Sequence, residues 1–357
     1  MINFDYASLR LIGLTPAISQ QLLTLALKFE DSIGIQIARI TEIHRDRLLL
    51  HNGTTELTAR ITPRFLQELG YEARHLAVGD WGLAHHAIDG ELAIVACMPA
   101  MTQLTRRKQG GDIQALASNI DTAIIVMGLD HDFNLRRLER YVALVLAAGV
   151  APLVILTKAD LHIDAEDRRK EVEQRLSSNI PIFAVNGLSS SNSELLSAWM
   201  GIGQTLVLLG SSGAGKSTLT NTLALTKQIT GNVRASDQRG RHTTTARTLH
   251  QCPSGACIID TPGLRSLQLN LDEDSLDTGF VDIASLSLKC QFRDCSHQTE
   301  PGCAVRGAVN ADRLKNYQKL QREIRRTEQT ALDKIAERAK WKVLIKSMKQ
   351  KKQSRYN

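Results

Sequence analysis

Short apolar runs alternate with turn signals over residues 33 to 97, a pattern typical of closely spaced β-strands. The turns carry Asn-Gly, Gly-Asp and Asp-Gly pairs, which favour tight reversals of the chain. The runs are Ile33–Ile40, Leu48–Leu50, Glu56–Ile61 and Glu91–Cys97. They predict a small barrel or sandwich, for which an OB-like barrel is one solution. Upstream, Leu9–Phe29 has the spacing of an amphipathic helix.

The pattern changes after Gln114, where apolar runs alternate with helical stretches. The strand-like runs are Ala123–Met127, Pro152–Leu156, Ile182–Val185, Thr205–Leu209 and Ala256–Asp260. Helical spacing occurs over Leu135–Ala148, over Ala165–Leu176 and from Lys216 onward. Strands that alternate with helices build a parallel sheet covered by crossover helices, so we expect one doubly wound α/β domain over residues 115–268.

The composition is that of a soluble globular protein, because 43% apolar and 23% charged residues exclude a disordered or fibrous chain. The longest charge-free apolar stretch, Tyr141–Leu156, is shorter than the ~20 residues that span a bilayer, so we expect no membrane segment. The start, Met1–Asp5, lacks a basic head and an apolar run, so we expect no secretory signal. Six cysteines are too few for a disulfide scaffold, which favours a cytoplasmic location.

The net charge of +7 is unevenly distributed. From residue 304 to the end the chain has 16 Lys/Arg and 5 Asp/Glu, a balance of 16 − 5 = +11, which leaves 7 − 11 = −4 for the rest. A basic segment of this kind favours contact with a polyanion, although a solvated helical tail has the same composition.

One segment fits the phosphate-binding pattern G-x-x-x-x-G-K-[ST]. It follows the run Thr205–Leu209 and opens a helix, which is the context that the pattern requires. Its glycines let backbone N–H groups converge on phosphate oxygens, and the helix N-terminus adds a positive dipole end. We expect Lys216 to reach the β- and γ-phosphates and the Ser217 hydroxyl to ligate Mg²⁺. The segment reads Gly210-Ser211-Ser212-Gly213-Ala214-Gly215-Lys216-Ser217.

A second phosphate-site motif, Asp260-Thr261-Pro262-Gly263, ends the next apolar run. We expect Asp260 to hold Mg²⁺ through water and the Gly263 N–H to sense a γ-phosphate. A third motif, Thr157-Lys158-Ala159-Asp160, follows the run Pro152–Leu156. The Asp160 carboxylate can accept hydrogen bonds from guanine N1–H and from the 2-amino group, a donor pair that adenine lacks, so we expect GTP rather than ATP.

The motifs occur in an unusual order. In ordinary GTPases the phosphate-binding loop precedes the guanine motif, whereas here Asp160 precedes Gly210. We therefore expect a circularly permuted G domain, in which the sheet assembles the site whatever the order of its loops along the chain. The loop after Asp260 then leads directly into the C-terminal module, so the nucleotide state can move that module.

Three cysteines and one histidine form a dense group near the C-terminal end: Cys290, Cys295, His297 and Cys303. A Cys₃His set suits one tetrahedral Zn²⁺ in a closed structural site, because no position is left for a reacting water. The other cysteines, Cys97, Cys252 and Cys257, lie in strand-like runs, and we expect them in the core.

Together, these features resemble the ribosome small-subunit-dependent GTPases, a family of circularly permuted enzymes of bacterial 30S assembly. The resemblance covers residues 30–325, and its motifs are Thr157–Asp160, Gly210–Thr218, Gly240–Thr245, Asp260–Gly263 and Cys290–Val305. It implies an OB domain, a G domain that binds GTP with Mg²⁺, and a zinc domain, which together contact the 30S subunit and its rRNA. It also implies slow GTP hydrolysis that the subunit stimulates late in its maturation.

Some positions depart from common GTPase patterns. The family's Ser-Ala-type loop, whose backbone contacts the guanine carbonyl, is represented by Asn186-Gly187. Leu264 stands where many GTPases carry a glutamine that orients water, so intrinsic hydrolysis should be slow unless another group supplies this function. His242 is the nearest candidate, with a structural loop histidine as the alternative. One threonine of residues 243–245 should ligate Mg²⁺, and we favour Thr244.

The sequence thus predicts a multidomain protein with an N-terminal OB-like β-barrel, a central circularly permuted P-loop α/β GTPase domain and a C-terminal α-helical zinc-binding domain. Its segments are a helical extension (1–30), the barrel (31–105), a linker (106–114), the G domain (115–268), the zinc-binding domain (269–330) and a basic tail (331–357).

We expect a monomeric GTP hydrolase that binds the 30S subunit. A predicted helix beside the zinc motif carries basic residues for RNA phosphates, namely Arg313, Lys315, Lys319, Arg322, Arg325 and Arg326. The alternative is a GTP-dependent switch with little turnover that acts on another RNA, for example in tRNA modification.

Overall fold

The computed structural model describes residues 4–29, 34–72, 74–87, 90–107, 112–176, 179–224, 247–261, 268–269 and 273–328. Strands within these ranges are β1 (Gln36–Ile43), β2 (Arg47–His51), β3 (Glu56–Ile61), β4 (Trp81–His86), β5 (Leu92–Cys97), β6 (Gln103–Arg107), β7 (Ile113–Ser118), β8 (Thr122–Gly128), β9 (Ala151–Thr157), β10 (Ile182–Ala184), β11 (Thr205–Leu209), β12 (Thr248–Gln251), β13 (Cys257–Asp260) and β14 (Gln268–Leu269). Helices are α1 (Tyr6–Arg10), α2 (Pro16–Ala26), α3 (Pro63–Tyr71), α4 (Leu135–Ala147), α5 (Ala165–Arg175), α6 (Asn192–Leu195), α7 (Lys216–Ala224), α8 (Glu273–Gly279), α9 (Val281–Ser287) and α10 (Ala311–Glu328).

Strands β1 to β5 close into a five-stranded barrel. β1 pairs with both β2 and β4, β3 joins β2 to β5, and β4 pairs with β5. Apolar side chains such as Ile40, Leu48 and Ile94 fill its interior. The expected barrel is therefore confirmed. The sequence pattern missed β4, because its first four residues are all buried and show no alternation of apolar and polar positions.

Strands β8 to β13 form the expected doubly wound α/β sheet. Its strands lie in the order β10-β9-β8-β11-β13-β12 and are parallel, except that β12 runs antiparallel to β13. Both faces of the sheet are covered: Leu206 of β11 lies in one apolar cluster with Leu219 of α7, and Val207 lies in the other with Val142 of α4. Burial on both faces explains the continuous apolar runs of these strands.

The sheet also contains the predicted permutation. β11 lies between β8, which precedes it in the chain, and β13, which follows it. Leu208 of β11 is in register with Ile124 on one side and with Asp260 on the other. Because these strands are parallel, the loops after β8, β9, β11 and β13 meet at one carboxyl edge of the sheet, where α/β proteins bind ligands.

The barrel and the α/β sheet are continuous, because Glu42 of β1 pairs with Thr248 of β12. Residues 106–114, expected to be a linker, include the ends of two paired strands, β6 and β7, and Arg106 faces Gln114 across this hairpin. β6 also pairs with β14, so the hairpin belongs to a small three-stranded sheet.

The N-terminal segment forms two helices rather than the single helix expected over Leu9–Phe29. The chain turns at Gly13, whose φ of +96° is left-handed and favours glycine, and α2 then begins with a proline. Arg39 of β1 is buried beside this turn and donates to the Ile12 carbonyl oxygen at 2.5 Å and to Thr205 Oγ1 at 2.9 Å. One side chain thus ties the N-terminal segment, the barrel and the α/β domain together.

Helices α8, α9 and α10 belong to a C-terminal module that packs on α4. Gly279, at the end of α8, lies so close to α4 that a Cβ there would be 2.7 Å from the Ala143 Cβ. The Arg313 guanidinium of α10 lies over the ring of Phe280, 4.5 Å from its centroid. Across the described residues, every helix is too short or too polar to cross a membrane.

Candidate nucleotide and metal sites

The phosphate-binding loop joins β11 to α7 and depends on its glycines. Gly210 has a φ of +153° and lies against β8, where a Cβ would come within 2.2 Å of the Val126 carbonyl oxygen. Gly213 and Gly215 have φ values of +83° and +96°, which residues with a side chain rarely adopt. The motif therefore folds as the strand, loop and helix that the sequence predicts.

Lys216 begins α7 and folds back over the loop. Its ammonium donates to the carbonyl oxygens of Gly210 at 3.0 Å and Ser211 at 2.7 Å. Burial lowers the pKa of Lys216, and the negative charges of Asp260 and Asp132 oppose this shift. The ammonium is thus held at the loop by groups that a bound phosphate can replace.

The T-K-A-D loop after β9 packs directly on the phosphate-binding loop. The Thr157 hydroxyl donates to the Ala214 carbonyl oxygen at 2.6 Å, and Lys158 Nζ donates to the Gly213 carbonyl oxygen at 2.9 Å. Lys158 has a left-handed backbone with φ +64° and also pairs with Asp130 at 2.7 Å. Two motifs that are distant in the chain are therefore in direct contact.

The loop that is expected to bind the base is exposed. Asp160 lies in a 3₁₀ turn over residues 159–161, and the residue is open to solvent. The loop that contains Asn186-Gly187 lies beside this turn, because the Ala159 N–H donates to the Val185 carbonyl oxygen at 3.2 Å. It also lies beside α7, since the Gly187 carbonyl oxygen accepts a hydrogen bond from Thr222 Oγ1 at 3.1 Å. The two segments expected to contact the base are therefore adjacent, and their binding of the base stays a prediction.

Asp260 ends β13 beside the phosphate-binding loop and is buried. The next residue, Thr261, donates from its hydroxyl to the Leu208 carbonyl oxygen at 2.5 Å, which holds the end of β13 against β11. The remaining expected phosphate and switch residues lie outside the described ranges, and their roles stay predictions. They are Gly263, Leu264, His242 and Thr243 to Thr245.

Sequence reasoning missed the loop between β8 and α4. Asp132 in this loop accepts a hydrogen bond from the Gly128 N–H at 3.1 Å through Oδ2. Through Oδ1 it accepts hydrogen bonds from the Ser211 hydroxyl and from the Arg137 guanidinium. The available signal was an Asp-His-Asp sequence directly after an apolar run, which a parallel sheet places at its ligand-binding edge.

The expected metal ligands converge in the C-terminal module. The ligand atoms of Cys290, Cys295, His297 and Cys303 all lie within 4.8 Å of one another. His297 Nδ1 is 3.7 Å from the Cys290 Sγ and 3.5 Å from the Cys303 Sγ. Zinc bonds of about 2.3 Å to sulfur and about 2.0 Å to nitrogen give a tetrahedron with N···S edges of about 3.5 Å. The donor set and its spacing therefore fit Zn²⁺.

Hydrogen bonds within this cluster favour the thiolate form of Cys303. The N–H groups of Ala304 and Arg306 donate to the sulfurs of Cys290 and Cys303 at 3.4 and 3.3 Å. Burial raises the pKa of Cys303, but hydrogen bonds from Arg306 and His297 outweigh it and lower the pKa to about 6. A thiolate is the form of cysteine that binds metal.

A buried ion cluster joins the C-terminal module to the α/β domain. Glu139 of α4 accepts hydrogen bonds from Arg175 of α5 at 2.6 Å and from Arg313 of α10 at 2.8 Å. Arg175 also pairs with Asp312, and Arg313 with Asp282. Arg313 was expected on an RNA-binding face. This expectation is wrong, because the guanidinium is enclosed between two carboxylates and the Phe280 ring.

The permuted sheet, the joined phosphate and guanine loops and the Cys₃His module together define a circularly permuted GTPase. A sequence model of the RsgA GTPase family matches residues 97–270. A model of the 50S ribosome-binding GTPase family matches residues 205–341, so that match begins at β11, which leads into the phosphate-binding loop.

Individual proteins give the same result. The chain is 45% identical over 310 residues to the small ribosomal subunit biogenesis GTPase RsgA of Xanthomonas oryzae pv. oryzae (strain MAFF 311018), covering 84% of this chain and 83% of that protein. It is 44% identical to the protein of that name from Xanthomonas axonopodis pv. citri (strain 306), with the same coverage. The chain therefore belongs to the RsgA GTPase family and is a GTP hydrolase.

Two solved structures share the fold. The crystal structure of YjeQ from Thermotoga maritima has a TM-score of 0.61 at 21% identity and covers 81% of this chain and 98% of its own. The crystal structure of YloQ, described as a circularly permuted GTPase, has a TM-score of 0.57 at 22% identity and covers 84% of this chain and 98% of its own.

Proposed function

We propose that this GTPase binds the 30S ribosomal subunit and hydrolyses GTP to GDP and phosphate late in small-subunit maturation, with its release coupled to hydrolysis. The name that its relatives carry, small ribosomal subunit biogenesis GTPase, supports this role. The choice of guanine depends on Asp160, and the observation that carries the proposal is the contact between its loop and the phosphate-binding loop. Lys158 Nζ lies 2.9 Å from the Gly213 carbonyl oxygen, which holds the guanine motif against the phosphate-binding loop.

Separate groups bind the two ends of the nucleotide in this proposal. Asp160 accepts hydrogen bonds from the guanine, with Thr157, Lys158 and Asn186-Gly187 around it. Residues 210–218 bind the phosphates, and Lys216 supplies a positive charge there. Bound Mg²⁺ would neutralise charge that develops on the β- and γ-phosphates.

The expected Mg²⁺ ligands come from three separate segments of the chain. Ser217 and Thr244 would bind the ion directly, and Asp260 would bind it through water. The Gly263 N–H would contact the γ-phosphate. Of these four residues, the described ranges include Ser217, the second residue of α7, and Asp260, the last residue of β13.

Hydrolysis needs a group that orients water, and His242 is our candidate because leucine occupies position 264. His242→Ala should lower the turnover stimulated by 30S subunits while GTP binding stays intact. His86→Ala, at an exposed position of the barrel, is the matched control. Stimulated turnover of His242→Ala near the wild-type rate would reject this role.

One structural Zn²⁺ in the Cys₃His site would fix the loop that precedes α10. Gln318 of α10 donates to the His297 carbonyl oxygen at 3.1 Å, so the ligand loop is held against the side of this helix. Because four protein ligands fill a tetrahedral ion, we assign this metal to folding and not to hydrolysis.

Helix α10 presents a basic stripe for RNA. Lys315, Lys319, Arg322 and Arg326 are exposed, and their spacing of three or four residues places them on one face. Arg325 is exposed beside them, whereas the basic tail lies outside the described residues. If these side chains contact rRNA phosphates, raising the salt from low to physiological concentration should weaken 30S association markedly. A flat salt response would reject phosphate contact as the main source of affinity.

Single-turnover GTP hydrolysis with and without 30S subunits tests the proposed function. We expect slow hydrolysis by the protein alone and a clear acceleration by the subunit. Unchanged slow hydrolysis, with GTP bound, would indicate a switch that acts on another RNA, which pull-down followed by RNA sequencing would identify.

The same proposal places the protein in the cytoplasm as a monomer. It keeps the domain boundaries expected from the sequence, except that the β6–β7 hairpin replaces the linker of residues 106–114.

A further inference from the structure

Asp132 contacts the phosphate-binding loop from outside every motif assigned above. It is 7% exposed, and its carboxylate joins the end of β8, through the Gly128 N–H, to the Ser211 hydroxyl. Its own N–H donates to the Asp130 carboxylate at 3.1 Å, and Asp130 in turn pairs with Lys158. The loop after β8 is thereby fixed to both the phosphate and the guanine motifs.

Ser211 is held at two of its groups. Its hydroxyl donates to the Asp132 carboxylate, and its carbonyl oxygen accepts a hydrogen bond from Lys216 Nζ at 2.7 Å. The position and orientation of this residue therefore set the path of the chain from Gly210 into the rest of the loop. The hydroxyl makes this contact on the side of β8, since Asp132 follows that strand.

The negative charge of Asp132 is balanced locally. The Arg137 guanidinium of α4 donates to the same carboxylate and to the Asp132 carbonyl oxygen. A carboxylate paired in this way repels a nearby phosphate much less than an unpaired one would. The arrangement is therefore compatible with an anionic ligand on the other side of the loop.

We propose that Asp132 is a positioning residue, which holds the phosphate-binding loop through the Ser211 hydroxyl in the conformation that receives the nucleotide phosphates. This inference rests on the proposed binding of GTP. A loop that is ordered in advance binds its ligand more tightly, because less conformational entropy is lost on binding. The same contact also persists when phosphate is transferred, so it strengthens ground-state and transition-state binding equally.

Uniform binding of this kind affects KM and leaves kcat unchanged. KM reports nucleotide affinity here, because hydrolysis without the subunit is expected to be slow compared with dissociation. A variant that merely unfolds in part behaves differently, since a smaller active fraction lowers kcat without changing KM. A raised KM with an unchanged kcat therefore indicates a positioning role, whereas a lowered kcat with an unchanged KM indicates a general structural role.

The test uses the full-length protein, with GDP affinity and steady-state GTP hydrolysis as readouts. Ser211→Ala removes only the hydroxyl, and it should raise Kd for GDP and KM for GTP about tenfold, the contribution of one hydrogen bond to a charged group. Asp132→Asn should act in the same direction. Ser211→Ala and Asp132→Asn both break the same hydrogen bond. The double variant should therefore bind GDP no more weakly than whichever single variant has the lower affinity. Asp5→Asn, at an exposed carboxylate that caps α1, should leave both constants unchanged.

Two results would overturn the inference. One is wild-type affinity in both single variants, and the other is tighter GDP binding by Asp132→Asn, which would mean that the carboxylate chiefly repels phosphate. A wild-type protein that binds neither GTP nor GDP is a different failure, because it would remove the proposed function itself.

Discussion

The buried carboxylate of Glu139 links the C-terminal module to the α/β domain, and we predict that Glu139→Gln destabilises the protein strongly. The carboxylate is completely buried and accepts hydrogen bonds from Arg175, Arg313 and the Asn316 side chain. Glutamine keeps the shape of the side chain but removes its charge. It also points an NH₂ donor at the side chains of Arg175, Arg313 and Asn316, which are themselves donors. The two guanidinium groups then lose the only fully buried carboxylate that they share among the described residues.

Removing one partner of a buried ion pair costs about 3–5 kcal/mol. Here each arginine retains a second carboxylate, Asp312 or Asp282, but both of these side chains are 45% exposed and contribute less. We therefore expect a loss near the lower limit, about 3 kcal/mol, which is a large part of the ~5–15 kcal/mol of a typical domain.

Urea unfolding, followed by far-UV circular dichroism, measures this loss. The matched control is Glu323→Gln, since Glu323 of α10 pairs with Arg140 of α4 across the same interface but has a side chain that is 37% exposed. The control should cost less than ~1 kcal/mol. Trypsin should also cleave the C-terminal module faster in Glu139→Gln than in the control. Equal losses in the two variants would refute the reasoning, because burial would then make no difference.

Three further predictions address the base, the metal and the pH. Asp160→Ala should weaken GDP binding by ~3 kcal/mol or more, which is the contribution of two hydrogen bonds to a charged group. It should not improve ATP binding in a competition assay. Unchanged GDP affinity would exclude Asp160 from the base site. Cys295→Ser should reduce the zinc measured by elemental analysis and lower the melting temperature while GDP still binds, and full zinc content would contradict the ligand assignment. Hydrogen bonds from Arg136 and Arg175 lower the pKa of Asp312 to about 2. The stabilisation that this pairing gives is complete above the unfolded-state pKa of about 3.9 and is lost as the pH falls toward 2. The urea midpoints of the wild type and Asp312→Asn should therefore converge on acidification. A difference between the two midpoints that does not change with pH would contradict the pairing.

The elements that the sequence predicted well are those whose determinants are local. The phosphate-binding loop needs glycine at Gly210, Gly213 and Gly215 because of its own backbone angles, and the zinc ligands are close in the chain. Strands of the α/β sheet are buried on both faces, so each appears as a continuous apolar run. Even the permutation could be read from the order of the motifs along the chain.

The features that were missed depend on contacts between distant segments. Arginine is usually found at the surface, and Arg313 is buried here because Glu139 of α4, Asp282 of α9 and the Phe280 ring enclose it. Asp132 acquires its role from Ser211, which is distant in sequence but follows the neighbouring strand. No local pattern marks Arg39 as a buried link between three parts of the protein, because a single arginine in a strand usually faces solvent.

The central claim is that loops in permuted order form one guanine-nucleotide site. Isothermal titration calorimetry of the purified protein with GDP, GTP and ATP, in the presence of Mg²⁺, tests this claim most directly. We predict saturable binding of GDP and GTP at one site per chain, with no heat of binding from ATP. Binding of ATP in their place, or no binding of any of the three, would contradict it.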